Sequence, residues 1–351
     1  SAKKATVYSE GYKTVTVKTP KSWKSVKVTA TSNKKSVAKV KKTAAKKIKV
    51  TGVKPGTAKV TVKVTYKTST KKNAKAKTKK LTYTMKVAKV GVALSGDSVV
   101  AIGSTTKLTN TKKNSSRAKI TYTSSDDSIA TVAADGTVTG VKAGKATITA
   151  KITVGKDSAT TTKDVEVKNY VLSTVAQNKL TELTATVTGN TKNLKPTDFV
   201  VKNETTNVVY PVSKVSVDSK VTLTLFSELK DAATYDVTLD GITKTFVASD
   251  GKVASIGLDN VTIPAATETE VKLVSKDANG VIVKEVSYPS SDSTYDFTID
   301  TKGNGYTSGS KLYLNKVGDT AEATITYKTG KYDQNGKPEG NIGPNKVTIT
   351  A

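Results

Sequence analysis

The chain alternates between apolar and polar residues over long stretches. From Val60 to Tyr66 every second residue is apolar, with Thr or Lys between, and Ile148, Ala150 and Ile152 repeat the arrangement. A period of two is the mark of a strand with one face in a core and the other in water. The same reading makes strands of Val26-Val28-Ala30, of Leu81-Tyr83-Met85-Val87, of Val165-Val167 and, briefly, of Val37-Val40. Turn signals separate them. Asp135-Gly136 and Asn279-Gly280 are tight hairpin pairs, and Gly56 and Gly144 stand where a turn needs positive φ. Roughly seven short strands per block of about 85 residues, punctuated this often, predict two-sheet sandwiches. Further on, Lys179–Val187 reads as one strand, Leu194–Phe199 as a turn into another, Lys220–Leu225 as a segment followed by Glu228–Leu239, and Val271–Val283 as a hairpin.

At 351 residues the chain exceeds what one small sandwich can use. Composition agrees with strands: Val and Thr dominate, and 36% apolar content suits small modules with one buried face per sheet. There is no Cys and no His. That removes disulfides, thiolate zinc, the thiol nucleophile, the commonest general base and the commonest metal ligand. Catalysis would have to rest on paired carboxylates facing a cleft, which a sandwich filled by its own side chains does not offer. The chain is therefore expected not to be an enzyme. It holds no apolar run long enough to span a bilayer, so no membrane insertion is expected. No signal peptide precedes Ser1, so a leader, if the protein is secreted, has been removed or lies outside this chain; the final strand is cut cleanly, and whether the chain is whole or a fragment of something longer is left open.

Charge sharpens the picture. The net formal charge is +28, and residues 1–90 hold 27 Lys against one acid, Glu10, so that +26 of it lies there. Arg117 is the single arginine. Lysine is a hydrated point charge, whereas arginine makes the planar forks that read phosphates specifically. A lysine surface with few aromatics to stack bases suits diffuse attraction to a polyanion and fits nucleic acid poorly. The densest run gives the candidate polyanion-binding residues Lys71, Lys72, Lys75, Lys77, Lys79 and Lys80. A solvated hairpin tip is the plainer reading of such a run, but a whole module at this charge repels itself unless something compensates. Asp333, Asn335 and Glu339 offer oxygen ligands at short spacing and are the candidate calcium residues, with Asp126-Asp127 and Asp277/Asn279 as weaker cases. Pro338 interrupts the calcium-loop pattern, and turn chemistry explains the same residues. No other cofactor is expected.

The blocks repeat. Val28-Thr-Ala-Thr-Ser-Asn-Lys-Lys-Ser-Val-Ala-Lys-Val40 aligns without gaps on Ile120-Thr-Tyr-Thr-Ser-Ser-Asp-Asp-Ser-Ile-Ala-Thr-Val132. Val50-Thr-Gly-Val-Lys-Pro-Gly-Thr-Ala-Lys-Val-Thr-Val62 then matches Val138-Thr-Gly-Val-Lys-Ala-Gly-Lys-Ala-Thr-Ile-Thr-Ala150. Two blocks in one order are a duplication. This pattern resembles the bacterial immunoglobulin-like group 2 (BIG2) family over residues 1–168. The aromatic that often precedes the Ser turn is here Ala30 and Tyr122, and Trp23 is a candidate for the missing core bulk. Residues 169–250, with their Leu229…Thr234-Tyr235-Asp-Val237 hairpin, resemble the immunoglobulin-like modules of Gram-positive S-layer proteins, and residues 251–351 do so more weakly.

The resemblance implies an all-β chain of tandem immunoglobulin-like β-sandwich modules in an elongated array: 1–90 basic BIG2-like, 91–168 a second BIG2-like, 169–250 S-layer-type, and 251–351 a fourth sandwich. It implies an extracellular location at the cell surface or wall, and a structural role in a bacterial surface layer or wall-associated coat. The partners would be copies of the chain in a lattice and, through the basic module, an anionic wall polymer. The alternative is an adhesin stalk or accessory region presenting a binding or catalytic domain outside this chain.

Overall fold

The computed structural model describes residues 3–114 and 116–351. Among these, regular structure is strand apart from two single 3-10 turns, at Thr191–Asn193 and Pro196–Asp198. The chain divides into two compact units, residues 1–169 and 170–351.

In the first repeat, seven strands form two sheets: β1 (Lys3–Tyr8), β2 (Tyr12–Thr16), β3 (Lys24–Ser32), β4 (Ala38–Ala44), β5 (Lys47–Gly52), β6 (Gly56–Lys67) and β7 (Lys77–Ala88). One sheet has the order β1-β7-β6-β3 and the other β2-β5-β4. The inward residues are those the alternation selects: Val28, Val50, Val60, Val62 and Val64 are buried, with Ile48, Met85 and Val87 beside them. Trp23 and Tyr66 stack with ring centroids 3.5 Å apart and planes at 4°, packed at the edge of this core. The opening of the chain contributes to both sheets. β1 pairs parallel with β7, the backbone turns at Ser9–Gly11, and β2 joins the opposite sheet. Gly52 permits that turn: a Cβ there would meet the Tyr8 carbonyl oxygen at 2.7 Å, and Glu10 N–H donates to the Gly52 carbonyl at 2.9 Å.

The second repeat copies the plan with β8 (Gly91–Ser95), β9 (Val99–Ala101), β10 (Thr105–Lys107), β11 (Thr109–Lys113), β12 (Lys119–Ser124), β13 (Ala130–Val132), β14 (Thr137–Gly140), β15 (Gly144–Val154) and β16 (Asp157–Lys168). Its main sheet runs β12-β15-β16-β9, with β9 parallel to β16 as β1 is to β7, and β10-β14-β13 faces it. Gly56 and Gly144 have φ of 144° and 152°, and Gly136 in the β13–β14 hairpin has 87°. Each needs the backbone freedom of glycine. Between the repeats, Val90, Ile152 and Val154 make a small core of their own, flanked by Tyr8 and Val92. There the buried Asp157 carboxylate accepts the Val90 N–H at 2.9 Å.

The second unit has two cores. Leu172, Leu183, Phe199, Leu223, Tyr235 and Val237 belong to one; Val271, Leu273, Phe297, Leu312, Ile325 and Ile349 belong to the other. A seven-stranded sheet carries strands of both, joined where Lys179 pairs with Ile282. The segment Lys179–Val187 is not one strand. A strand ends at Lys179 and the next begins at Glu182, because Leu180 turns into the core and its N–H donates to the Ile282 carbonyl at 3.3 Å. Within Glu228–Leu239 the strand is Thr234–Leu239, and Leu229 is buried in the loop ahead of it. Asn279-Gly280 makes its turn, with Gly280 at φ 85°.

Candidate polyanion interface

With Ala58, Val60, Val62 and Val64 of β6 buried, the residues between them must point outward. Register then assembles the outer face of the β1-β7-β6-β3 sheet. Across the strands its rows read Thr78-Thr65-Lys27, Lys80-Lys63-Thr29, Thr82-Thr61-Thr31, Lys4-Thr84-Lys59 and Thr6-Lys86-Thr57. Every position in these five rows is lysine or threonine. All six lysines are exposed, and Lys63 stands directly opposite Lys80. The other sheet is also basic outside: Lys41 faces Lys49, and the Lys49 ammonium lies 3.9 Å over the Tyr12 ring.

The charge of this repeat is uncompensated. Among the described side chains, the ion pairs all fall between Lys107 and Lys346. In residues 1–90 the lysine heads that have a polar partner find neutral ones: Lys46 Nζ donates to Thr19 Oγ1 at 2.7 Å and Lys67 Nζ to the Lys72 carbonyl at 3.5 Å. Glu10, the one acid, lies away from the lysine rows, against Gly155 of the second repeat.

The corresponding face of the second repeat differs. Lys145 stands opposite Glu166, Glu166 pairs with Lys168 at 3.3 Å, and Thr147 Oγ1 donates to Asp164 Oδ1 at 2.7 Å. In the β13–β14 turn the Lys107 ammonium, helped by Thr137, holds the Asp135 carboxyl well below the usual carboxylate range. Hydrogen bonds from the Ser128 hydroxyl and N–H lower Asp126 from its ordinary value. In the second unit, hydrogen bonds from Lys284 and then Thr294 bring Asp292 down to about 2. Burial pushes the Tyr235 hydroxyl up; it belongs to the core and donates to Asp231 at 3.0 Å.

The six sequence candidates do not form one surface. Lys71, Lys72 and Lys75 occupy the β6–β7 connection, and Lys77, Lys79 and Lys80 lie in β7. There Lys79 pairs with Val64 and so takes the opposite side of the sheet from Lys80. Lys4, Lys27, Lys59, Lys63 and Lys86, which complete the face, were not singled out by sequence. Their signal was the alternation itself: Lys59 and Lys63 occupy the polar phase of the clearest strand in the chain.

The calcium candidates sit in a hairpin. Asp333 Oδ1 accepts the N–H groups of Asn335 and Lys337, each at 2.8 Å, while Glu339 lies opposite Lys331 across the strands. Asp126 and Asp277 cap their own turns likewise, Asp277 Oδ1 accepting from Asn279 and Val281. Among the described residues no three carboxylates converge, and no helix is long and apolar enough to cross a membrane.

Residues 91–165 match the family model of bacterial Ig-like domains (group 2). A curated relative, an alpha-L-arabinofuranosidase of Bifidobacterium longum subsp. longum, is 44% identical over an alignment of 90 residues that covers 22% of this chain and 8% of that enzyme. Among solved structures, the N-terminal part of the bacterial S-layer protein SbsC is similar at 19% identity and a TM-score of 0.30, over 52% of this chain and 44% of that one. A tandem of titin domains I9–I11 is similar at 11% identity and a TM-score of 0.27, over 70% and 95%. The chain thus spans under half of that S-layer structure and a small fraction of the enzyme.

Proposed function

We propose that this chain is a non-catalytic stretch of a secreted bacterial surface protein, part of a surface layer or wall-associated coat, held against an anionic wall polymer by its first repeat. The observation that carries the reading is that, among the described side chains, no lysine of residues 1–90 has an ion-pair partner. Self-repulsion on this scale destabilises a small module, and a polyanionic partner converts that cost into binding. The match of residues 91–165 to a bacterial immunoglobulin-like family model supports a modular surface role. Edge strands such as β3 and β12 provide a route for copies to pack side by side.

Co-sedimentation with purified Gram-positive walls tests it. Binding should be tight at low ionic strength and fall at least about tenfold between roughly 0.05 and 0.5 M salt as screening shortens. Retention that ignores salt, or that survives replacement of the lysines of residues 1–90 by glutamine, refutes it. A second reading, an accessory stalk of an extracellular enzyme, is favoured by the identity shared with a short piece of the arabinofuranosidase. Electron microscopy of concentrated protein separates the two: a coat protein forms sheets, and a stalk stays monomeric.

A further inference from the structure

We propose that the outer face of the β1-β7-β6-β3 sheet, rather than the lysine-rich hairpin, is the binding surface, and that its ligand is a linear chain of polyol units joined by phosphodiesters. This rests on the reading above and specifies it.

Shape is the first ground. A sheet face with neighbouring strands about 4.8 Å apart and outward residues about 6.7 Å apart along each strand is a grid, with no pocket for a compact anion. Lys59 and Lys63 stand two rows apart on β6, Lys80 lies beside Lys63 on β7, and Lys4, Lys27 and Lys86 mark the borders of the grid. An extended polymer can lie across such a grid and meet several ammonium groups in succession.

Composition is the second. With no carboxylate on the face, an anionic chain meets no repulsion anywhere. Lys63 and Lys80 face each other with no acid near, and like charges opposed across strands are unfavourable. A phosphate placed between them replaces repulsion by two attractions. The threonines of the central row, Thr82, Thr61 and Thr31, add hydroxyls that donate to phosphate oxygens and exchange hydrogen bonds with polyol hydroxyls.

What the face omits selects among polyanions. Its five rows carry no aromatic ring and no arginine, and Tyr8, next in the outward phase of β1, is half-buried against the Val90–Ile152–Val154 cluster. Single-stranded nucleic acid is gripped by stacking bases on rings, and duplexes are read by arginine forks. Sugar rings likewise lie on aromatic faces, and the Trp23–Tyr66 stack occupies itself at the sheet's end. A polyol phosphate has no ring to stack and needs only point charges and hydroxyls.

The test uses the full chain and two variants of equal charge loss. One carries Lys27→Gln, Lys59→Gln, Lys63→Gln and Lys80→Gln on the face. The other carries Lys71→Gln, Lys72→Gln, Lys75→Gln and Lys77→Gln at the hairpin. The probes are poly(glycerol phosphate), polygalacturonate and single-stranded DNA, matched in charge and followed by calorimetry, with Trp23 fluorescence reporting the fold. For poly(glycerol phosphate), the face variant should lose at least about tenfold in affinity and the hairpin variant less than about threefold. Polygalacturonate and DNA should bind the unsubstituted chain at least about tenfold more weakly. Equal losses in the two variants, or equal binding of the three polymers, overturn the proposal. Should the chain sediment with walls while the face variant does so unchanged, only the assignment of the surface falls. Should it bind neither walls nor any of the probes, the wall-contact reading falls with it.

Discussion

The two repeats of the first unit build the same sheet and face water differently, the first with lysine and threonine and the second with lysines set against acids. Inside, Val60, Val62 and Val64 of the first stand where Ile148, Ala150 and Ile152 stand in the second, and all six are buried. Outside, Lys86 is matched by Glu166, Thr84 by Asp164 and Lys80 by Thr160. Strand geometry makes this possible, because alternate residues answer to different environments. The inward set need only fill volume and exclude water. The outward set is free to vary, and in the first repeat these rows hold lysine and threonine and no carboxylate. Fold and surface are thus encoded in two interleaved halves of one strand.

The largest expected effect tests whether the inward halves are equivalent. Ile148→Ala should cost about 2–5 kcal/mol, as deletion of a fully buried branched side chain does. Val60→Ala at the matching position, with fewer carbons removed, should cost about 2 kcal/mol. Hydrogen exchange resolved by module reads both, each loss of protection confined to its own repeat. If Val60→Ala loosened the second repeat as strongly as the first, the two cores would not be independent. The joint between them is the next target. Asp157→Ala leaves the Val90 N–H buried without an acceptor, which should cost about 1–3 kcal/mol and speed exchange at Val90 and in the Val90–Ile152–Val154 cluster. An unchanged Val90 would mean that water replaces the carboxylate there.

How much of this could be read beforehand follows from what each signal reports. Alternation found β6, β7 and β15 because a period of two acts within a few residues. It marked the turns at Asp135-Gly136 and Asn279-Gly280, where backbone conformation restricts the residue type. The lysine face was harder, since neighbours on a sheet are distant in sequence: Lys4, Lys27, Lys59 and Lys86 meet only through register. A run such as Lys71 to Lys80 is conspicuous in a linear reading and is then divided by the fold, Lys79 to one side and Lys80 to the other. Lys179–Val187 misled for a related reason. Leu180 fits the apolar phase of a continuing strand, yet it is buried at a turn. Nor does local pattern reveal that one sheet runs through both cores of the second unit, which hangs on a pairing between Lys179 and Ile282.

The smallest effects are the most telling about the outward halves. Lys80→Thr installs the second repeat's residue opposite Lys63 and removes a like-charge pair, so it should stabilise the first repeat by about 0.2–1 kcal/mol. Glu166→Lys does the converse. It sets a cation opposite Lys145, abolishes the pair with Lys168, and should destabilise the second repeat by a similar amount. Both effects should shrink as salt rises, because the charges are exposed and screened. Binding should move the other way: Lys80→Thr should weaken retention on anionic polymer while it stabilises the fold, and Glu166→Lys should strengthen retention while it loosens the fold. Thermal unfolding and polymer binding measured on the same two variants decide the matter. Opposite signs in the two readouts mean that the first repeat holds its lysines at the expense of its own stability. Like signs would mean that the lysines serve the fold itself, and the contrast between the repeats would then carry no information about a partner.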